Sequence, residues 1–369
     1  MQPKPKRMSE RTSSPLDGLR VLEFAGLGPA PHCAMLLADL GADIVRIERA
    51  GAFGPANPVI ERGRSTLTLD LADPDDHALA LAATDKADVL IESFRPGVME
   101  RLGLGPEVAC KRNSRLVYGR LTGWGQDGPL AKSAGHDITY LAVTGALAAL
   151  GKSGDPPPPP LNLVGDYGGG SLYLAVGILA ALVERQTSGR GQVIDAAIVD
   201  GVTSMMSIFS GQEPKGSLPY ARDHSVLGGA APFYRCYACA DGRYVALGAI
   251  EEKFWSAFLA GIGMTPAAFG PRFDPANWPA QSRQLEGVFM SRTAADWGAL
   301  YAGSDACLTP LVTLDEAPAH PQVAARRSYV EQDGRLQPAP APRFSRTPGK
   351  IRPSNGQGRA AIARWIDDA

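Results

Sequence analysis

Short apolar runs alternate with amphipathic stretches along the first half of the chain. Leu19–Phe24 and Ile44–Glu48 are apolar enough for buried strands, and Pro31–Leu40 between them has the apolar spacing of a helix that ends at Gly41. A strand, a helix and a strand at such short spacing indicate a β-α-β unit and hence a parallel sheet. The same pattern predicts two further strands, at Asp88–Ser93 and Arg115–Leu121, with a short helix at Gly97–Leu104 between them.

The middle of the chain is predicted to be mainly helical. Helical patterns cover Ile138–Leu150 and the strongly apolar Leu172–Arg185, and a strand is predicted at Gln192–Val199. The five consecutive prolines Pro156–Pro160 predict a stiff, extended spacer.

The second half changes character after Gly211–Ala231, which is rich in Gly and Pro and reads as a linker. Phe233–Ile250 predicts two strands around a hairpin turn at Asp241-Gly242. Helical patterns at Lys253–Gly261 and Gln284–Met290 complete a small α+β domain. A length of 369 residues is also typical of two domains or more.

Composition narrows the class of protein. The net charge of −1 argues against nucleic acid as the main partner, because binding to phosphates needs a basic excess. The hydrophobic fraction of 44% is ample for a core. The five cysteines are scattered and do not form a disulfide framework. Cys236 and Cys239 have the spacing of zinc ligands, but no second pair accompanies them, so no metal is expected.

No targeting or membrane segment is expected from the sequence. Met1–Ser14 is polar and basic without a following apolar core, which predicts a disordered tail rather than a secretory signal. The most apolar stretch, Leu172–Val183, is shorter than the roughly twenty residues of a membrane span. The C-terminal residues are not a peroxisomal address. We therefore expect a cytoplasmic protein that does not bind membranes.

Two residues stand out as candidate acid–base groups. His136 lies in the run AGHDI and Asp166 in the run NLVGDYGGG. Inverting a carbon that carries a weakly acidic proton needs one base on each face, and a neutral His with an ionised Asp can form such a pair. Taken singly, each residue is more typical of a helix cap, a turn or a packed side chain.

Other motifs give weaker signals. Glycines after Asp166 and before an apolar helix predict free backbone N–H groups that would stabilise an oxyanion. Gly26-Leu27-Gly28 follows the first strand but lacks the third glycine of a dinucleotide fingerprint, and neither a phosphate loop nor a serine elbow is present. Arginines near strand ends are candidates for phosphate binding, with ordinary surface residues as the alternative. They are Arg46, Arg49, Arg62, Arg64, Arg95 and Arg101.

Taken in order, several runs of the chain resemble the alpha-methylacyl-CoA racemases of the family III CoA-transferase (CaiB/BaiF) superfamily. The resemblance extends from Pro15 to about Gly349. The runs that carry it are PLDGLRVLEFAGLGPAPHCAMLLADLGADIVRIER, DVLIESFRPGVMERLGLGP, RLVYGRLTGWGQ, AGHDITYLAVTGAL, PLNLVGDYGGG, GQVIDAAIVDG, APFYRCYACADGRYVALGAIE, SDACLTPLVTLDE and APRFSRTPG.

The resemblance implies an α/β fold, in which a Rossmann-like large domain built from both chain ends is joined to a smaller α+β domain in an interlocked homodimer. The predicted segments are a disordered tail at 1–14, the large CoA-binding domain at 15–200, a linker at 201–232, the small domain at 233–312, and a return linker with the C-terminal part of the large domain at 313–369.

For the site, the resemblance implies that His136 and Asp166 are the two bases, with Glu251 as the partner of His136 and Asn162 as the partner of Asp166. It places contacts to CoA on Arg49, Leu69, Leu71, Arg95, Arg101, Gly135, Asp137 and Tyr140. The implied reaction is epimerisation of (2R)- and (2S)-2-methylacyl-CoA thioesters through an enolate. No cofactor is needed, because CoA is part of the substrate and the thioester itself acidifies the carbon.

Two alternatives remain open at this point. A CoA-transferase of the same superfamily would use Asp166 as a nucleophile, whereas a non-catalytic protein would only bind acyl-CoA. The joint presence of His136 and Glu251 favours the racemase. The chain also departs from the family pattern at Gly228, where the racemases commonly have Asp, so the resemblance does not define the acyl group.

Overall fold

The structure is a computed structural model that describes residues 14–51, 57–210 and 220–367. The described strands are β1 Arg20–Phe24, β2 Asp43–Glu48, β3 Arg64–Thr68, β4 Val89–Glu92, β5 Val117–Thr122, β6 Val193–Ala197, β7 Tyr234–Ala238, β8 Tyr244–Gly248, β9 Leu308–Pro310, β10 Tyr329–Gln332 and β11 Arg335–Pro338.

Two groups of helices accompany these strands. The α-helices are α1 Pro29–Asp39, α2 Pro74–Lys86, α3 Val98–Arg101, α4 Pro106–Arg112, α5 Asp137–Val143, α6 Tyr173–Ser188, α7 Ile198–Met205, α8 Ser207–Ser210, α9 Glu252–Gly261, α10 Pro266–Phe269, α11 Trp278–Phe289, α12 Ala294–Leu300, α13 Pro321–Ala325 and α14 Gly358–Asp367. A π-helix covers Leu163–Leu172, and 3₁₀ turns cover Leu147–Ala149, Pro275–Asn277 and Ala317–Ala319.

The chain forms two compact units. The first combines the segment up to Thr144 with Pro160–Met205 and the segment from Val330 onward. The second combines Gly145–Pro159 with Met206–Tyr329.

A parallel sheet forms the centre of the first unit. Its strand order is β3-β2-β1-β4-β5-β6, and each pair of neighbours is parallel. This is the order of a Rossmann fold, in which ligands bind beyond the carboxyl ends of the strands where the order reverses, here between β1 and β4. The parallel sheet predicted from the β-α-β pattern is therefore confirmed.

Helices cover both faces of this sheet. On one face, Cys33 and Leu37 of α1 and Leu174 and Ile178 of α6 pack in one buried cluster. On the other face, α2, α4 and α14 contribute residues to a second buried cluster, including Trp365 near the end of the chain. Burial on both faces explains why the strands read as continuous apolar runs rather than as alternating patterns.

The glycines after Asp166 lie inside a helix rather than in front of one. The π-helix Leu163–Leu172 continues directly into α6, and its buried glycines allow close contact with α7. A Cβ atom on Gly201 would lie 1.9 Å from the carbonyl oxygen of Gly169. One on Gly169 would lie 2.9 Å from the backbone nitrogen of Val202. Only glycine fits this contact, so tertiary packing overrides its poor helix propensity.

The continuous helix Leu163–Ser188 is 26 residues long, with a mean hydropathy of 1.4 over its most apolar window. By length and composition alone, this helix is long and apolar enough to span a membrane. The sequence analysis considered only the shorter stretch Leu172–Val183. Its side chains at Leu174, Ile178 and Ala181 are nevertheless buried in the core of the first unit. The same length and composition are found in core helices of proteins that do not enter membranes.

The second unit is α+β. The three strands form an antiparallel sheet in the order β7-β8-β9, and the predicted hairpin turns at Gly242 with φ 74°. Large aromatic side chains form its core, for example Tyr237 stacked on Phe289 with ring centroids 4.6 Å apart.

Some predicted elements differ from the structure. The helix predicted at 138–150 is only α5, followed by a 3₁₀ turn, since Gly145 has φ 82°. The predicted linker 201–232 begins inside α7, and the helix predicted at 284–290 begins earlier, at Trp278. The predicted tail, apart from Ser14, and residues 211–219 of the predicted linker lie outside the described residues.

We expect Gly201→Ala to destabilise the protein, because the added methyl group would overlap the backbone of Gly169. Overpacking of this kind costs about 1–3 kcal/mol of unfolding free energy. Gly287→Ala is the matched control, since Gly287 lies within α11 with nothing within 4 Å of the added carbon. Chemical denaturation measures both variants, and equal stability of the two would contradict the described contact.

Candidate active site

His136 and Asp166 both belong to the first unit. His136 immediately precedes α5, and its backbone is held by Thr139: the His136 N–H donates to Thr139 Oγ1 at 2.9 Å, and the Thr139 hydroxyl donates to the His136 carbonyl oxygen at 2.7 Å. The residue is exposed. The fold thus fixes the backbone of His136 and leaves its ring available.

Asp166 lies in the first turn of the π-helix, where Asp137 holds its backbone. The Asp166 N–H donates to Asp137 Oδ1 at 2.6 Å, and the Gly165 N–H also donates to this carboxylate. The glycines after Asp166 lie within the π-helix rather than before a helix, so the expectation of free N–H groups at a helix start there was wrong. Helix starts leave N–H groups without backbone partners, and here the side chain of Asp137 accepts from two of them, those of Gly165 and Asp166.

The Asp166 carboxyl is half-buried, and its pKa is raised from its ordinary value. Burial is the largest cause, and the negative charge of Asp137 also raises the pKa. A hydrogen bond with the Asn162 side chain and the charge of His136 act in the opposite direction. The structure thus brings Asn162, Asp166 and His136 within interaction range. A carboxyl with a raised pKa is suited to both taking and returning a proton.

Gly28 makes room for this carboxyl at the start of α1. A Cβ on Gly28 would lie 3.2 Å from Asp166 Oδ2, and the residue has φ 70°. A Cβ on Gly26 would overlap the hydroxyl of Ser93, so the loops after β1 and β4 touch. The glycine pair that weakly resembled a nucleotide loop therefore accommodates these two side chains.

Tyr140 fixes the loop that precedes His136. Its hydroxyl donates to the Gly135 carbonyl oxygen at 2.5 Å, and its ring meets Trp124 edge to face at 4.8 Å. Cβ atoms on Gly123 or Gly135 would overlap the ring. Burial raises the pKa of Tyr140, as does the charge of Asp166, while the charge of Arg95 lowers it.

The predicted CoA-binding residues outside this loop follow the carboxyl ends of three strands. Arg49 comes directly after β2, and the other four come after β3 and β4. Parallel strands direct these ends to the same edge of the sheet. All three arginines are exposed, whereas Leu69 is buried and Leu71 partly buried. The five residues are Arg49, Leu69, Leu71, Arg95 and Arg101.

Three other arginines are structural, which corrects their candidacy for phosphate binding. Arg64 is fully buried and donates to Glu23 at 2.6 Å. Arg62 binds Asp39 through two nitrogens, and Arg46 binds Glu61 at 2.7 Å. Each guanidinium is 4% exposed or less, because a charge inside the fold requires an opposite partner.

Glu251 belongs to the second unit, where it is exposed and immediately precedes α9. Its partnership with His136 stays a prediction. Conversely, sequence reasoning missed His32 and Ser171, and it did not connect Gly28 with Asp166. The imidazole of His32 forms a hydrogen bond with Ser171 in the helix that carries Asp166. No spacing in the sequence signals a pair that is 139 residues apart.

These features define an α/β protein with a Rossmann-ordered parallel sheet, in which His136 and Asp166 form a candidate site. The family model for CoA-transferase family III matches residues 16–357, and the chain belongs to this family.

Two relatives are named alpha-methylacyl-CoA racemase. The one from Mus musculus is 43% identical over 95% of this chain and 92% of its own length. The one from Homo sapiens is 42% identical over 90% of this chain and 87% of its own length. The crystal structure of a CAIB/BAIF family protein from Brucella suis covers 96% of this chain and 100% of its own, with 25% identity and a TM-score of 0.79.

We expect Asp137→Asn to lower the pKa of Asp166. The amide retains an oxygen that accepts the backbone N–H bonds but removes the negative charge that disfavours ionisation of Asp166. A carbon-13 NMR titration of the side-chain carboxyls measures the change. Asp127→Asn serves as the control, since Asp127 is exposed and does not contribute to the shift of Asp166. An unchanged or higher pKa of Asp166 in Asp137→Asn would contradict this electrostatic account.

Proposed function

We propose that this protein is an isomerase that interconverts the (2R) and (2S) epimers of 2-methylacyl-CoA thioesters. The observation that carries the proposal is the identity of 42–43% to two alpha-methylacyl-CoA racemases over about nine-tenths of the chain. The interaction between His136 and Asp166 supports it chemically, because epimerisation needs two proton-transfer groups.

In one direction, His136 removes the α-proton of the thioester and an enolate forms. A protonated Asp166 then delivers a proton to the opposite face of the carbon, and the roles exchange in the other direction. The raised pKa of Asp166 favours the protonated form that this step needs. Asn162 positions the Asp166 carboxyl, and Glu251 is proposed to orient His136 and stabilise its imidazolium form.

The CoA moiety is proposed to bind along the carboxyl edge of the parallel sheet. Arg49, Arg95 and Arg101 are exposed there, and guanidinium groups bind phosphates through paired hydrogen bonds. Gly135, Asp137 and Tyr140 would border the thioester end. Arg95→Met is expected to raise KM more than it lowers kcat, and an unchanged KM would contradict a role for Arg95 in CoA binding.

We also propose that the chain forms a homodimer, interlocked as the resemblance implies. In support, Leu172, Val176 and Val183 form an apolar stripe on the long helix and are 49%, 65% and 66% exposed. Light scattering of the purified protein tests the dimer: twice the chain mass of 38.9 kDa is expected, and the mass of one chain would contradict it. The cytoplasmic location and the independence from metals and cofactors stay predictions.

Proton NMR of a single-epimer 2-methylacyl-CoA in D2O tests the reaction directly. The wild type is expected to replace the α-proton with deuterium and to produce the other epimer. His136→Ala and Asp166→Ala should each stop epimerisation, while the remaining base still exchanges the proton of one epimer.

An α-proton that survives incubation with the wild type would contradict the racemase. Transfer of CoA to an added carboxylic acid in the same tube would instead support a CoA-transferase with Asp166 as its nucleophile.

A further inference from the structure

His32 joins α1 to the helix that carries Asp166. Its imidazole stacks on the ring of Tyr167, with centroids 4.0 Å apart and planes at 10°. Its Nδ1 lies 2.7 Å from Ser171 Oγ. Tyr167 directly follows Asp166, and Ser171 is fully buried one turn later in the same π-helix. A single side chain therefore holds the turn that carries the proposed base at two points.

This turn needs tertiary contacts to keep its conformation. A π-helix is rare and occurs mostly as a single turn inside an α-helix, frequently at a functional site. Four glycines in Leu163–Leu172 further weaken it as a helix, since each costs about 1 kcal/mol relative to alanine. Asp137 holds the backbone at the start of the segment, and His32 contacts the side chains that follow.

The ring of His32 does not act as a third base in this arrangement. Burial, reinforced by the positive charges of Arg62 and Arg64, lowers its pKa to about 4. The imidazole is therefore neutral at neutral pH and adds no charge next to Asp166. Its contribution is geometric: a flat ring against Tyr167 and one hydrogen bond with Ser171.

We propose that His32 is a positioning residue, which holds Tyr167 and Ser171 so that the π-helix directs the Asp166 carboxyl toward the α-carbon of the substrate. This role rests on the proposed racemase function and adds to it a residue that none of the motif runs assigns to the reaction. His32 itself does not touch the reacting atoms; it acts through Asp166.

Two variants remove the hydrogen bond without removing the packing. His32→Phe keeps a flat ring against Tyr167 but cannot bond to Ser171. Ser171→Ala removes the partner hydroxyl and introduces a good helix former. His77→Phe is the matched control, because the imidazole of His77 also makes one hydrogen bond, to the Leu102 carbonyl oxygen at 2.8 Å, in α2.

The test compares α-proton exchange from the two epimers in D2O for the wild type and these variants. The epimer whose exchange is lost in His136→Ala identifies the step performed by His136, and the other epimer reports on Asp166. In His32→Phe and Ser171→Ala we expect exchange through Asp166 to fall about ten- to a hundredfold, since a misplacement of about 1 Å has effects of this size. Exchange through His136 and the KM should stay at wild-type values.

The double variant supplies a second readout. If His32 and Ser171 act through one hydrogen bond, the double variant His32→Phe/Ser171→Ala should exchange the α-proton through Asp166 no more slowly than either single variant. Wild-type exchange through Asp166 in His32→Phe would overturn the role, as would an equal loss of both exchange reactions or the same loss in His77→Phe. Failure of the wild type to exchange either epimer would instead overturn the racemase function, and this role with it.

Discussion

The backbone contact between the π-helix and α7 is the constraint on which the site depends. Gly169 and Gly201 approach so closely that a methyl group on Gly201 would lie 1.9 Å from a carbonyl oxygen. This contact fixes the position of the π-helix, in which the Asp166 carboxyl lies beside Gly28 at the start of α1 and the Asp166 N–H donates to the carboxylate of Asp137. The glycine run therefore serves packing first, and the position of the proposed base is a consequence of that packing.

The electrostatics of the site follow from the same geometry. Asp137 is close enough to bind the amide of Asp166 and also to disfavour its negative charge. Asn162 and His136 partly offset that effect. Burial is the largest cause of the raised pKa of the Asp166 carboxyl, and Asp137, which also secures the backbone of Asp166, raises it further. A raised pKa suits a group that must alternately accept and donate a proton.

The sequence predicts five of the six strands of the parallel sheet, because apolar runs at strand and helix spacing report on local burial, but it does not predict β3 or α2. It identifies the parallel sheet, the hairpin at Gly242 and the candidate bases. It fails where partners are distant in the chain: Arg64 looks like a surface arginine until Glu23, 41 residues away, is seen beside it. It fails also at Gly169. Glycine is typical of turns, but this glycine lies within a helix, because the backbone of α7 leaves no room for a side chain there.

In the proposed reaction, His136 and Asp166 act on opposite faces of one substrate carbon. A crystal structure with a non-reactive 2-methylacyl-CoA analogue tests it most directly. We expect the α-carbon to lie between the imidazole and the carboxyl, within about 3.5 Å of each, as near-attack geometry requires. A complex in which both groups face the same side of that carbon, or in which the Asp166 carboxylate points at the thioester carbonyl carbon instead, would contradict it.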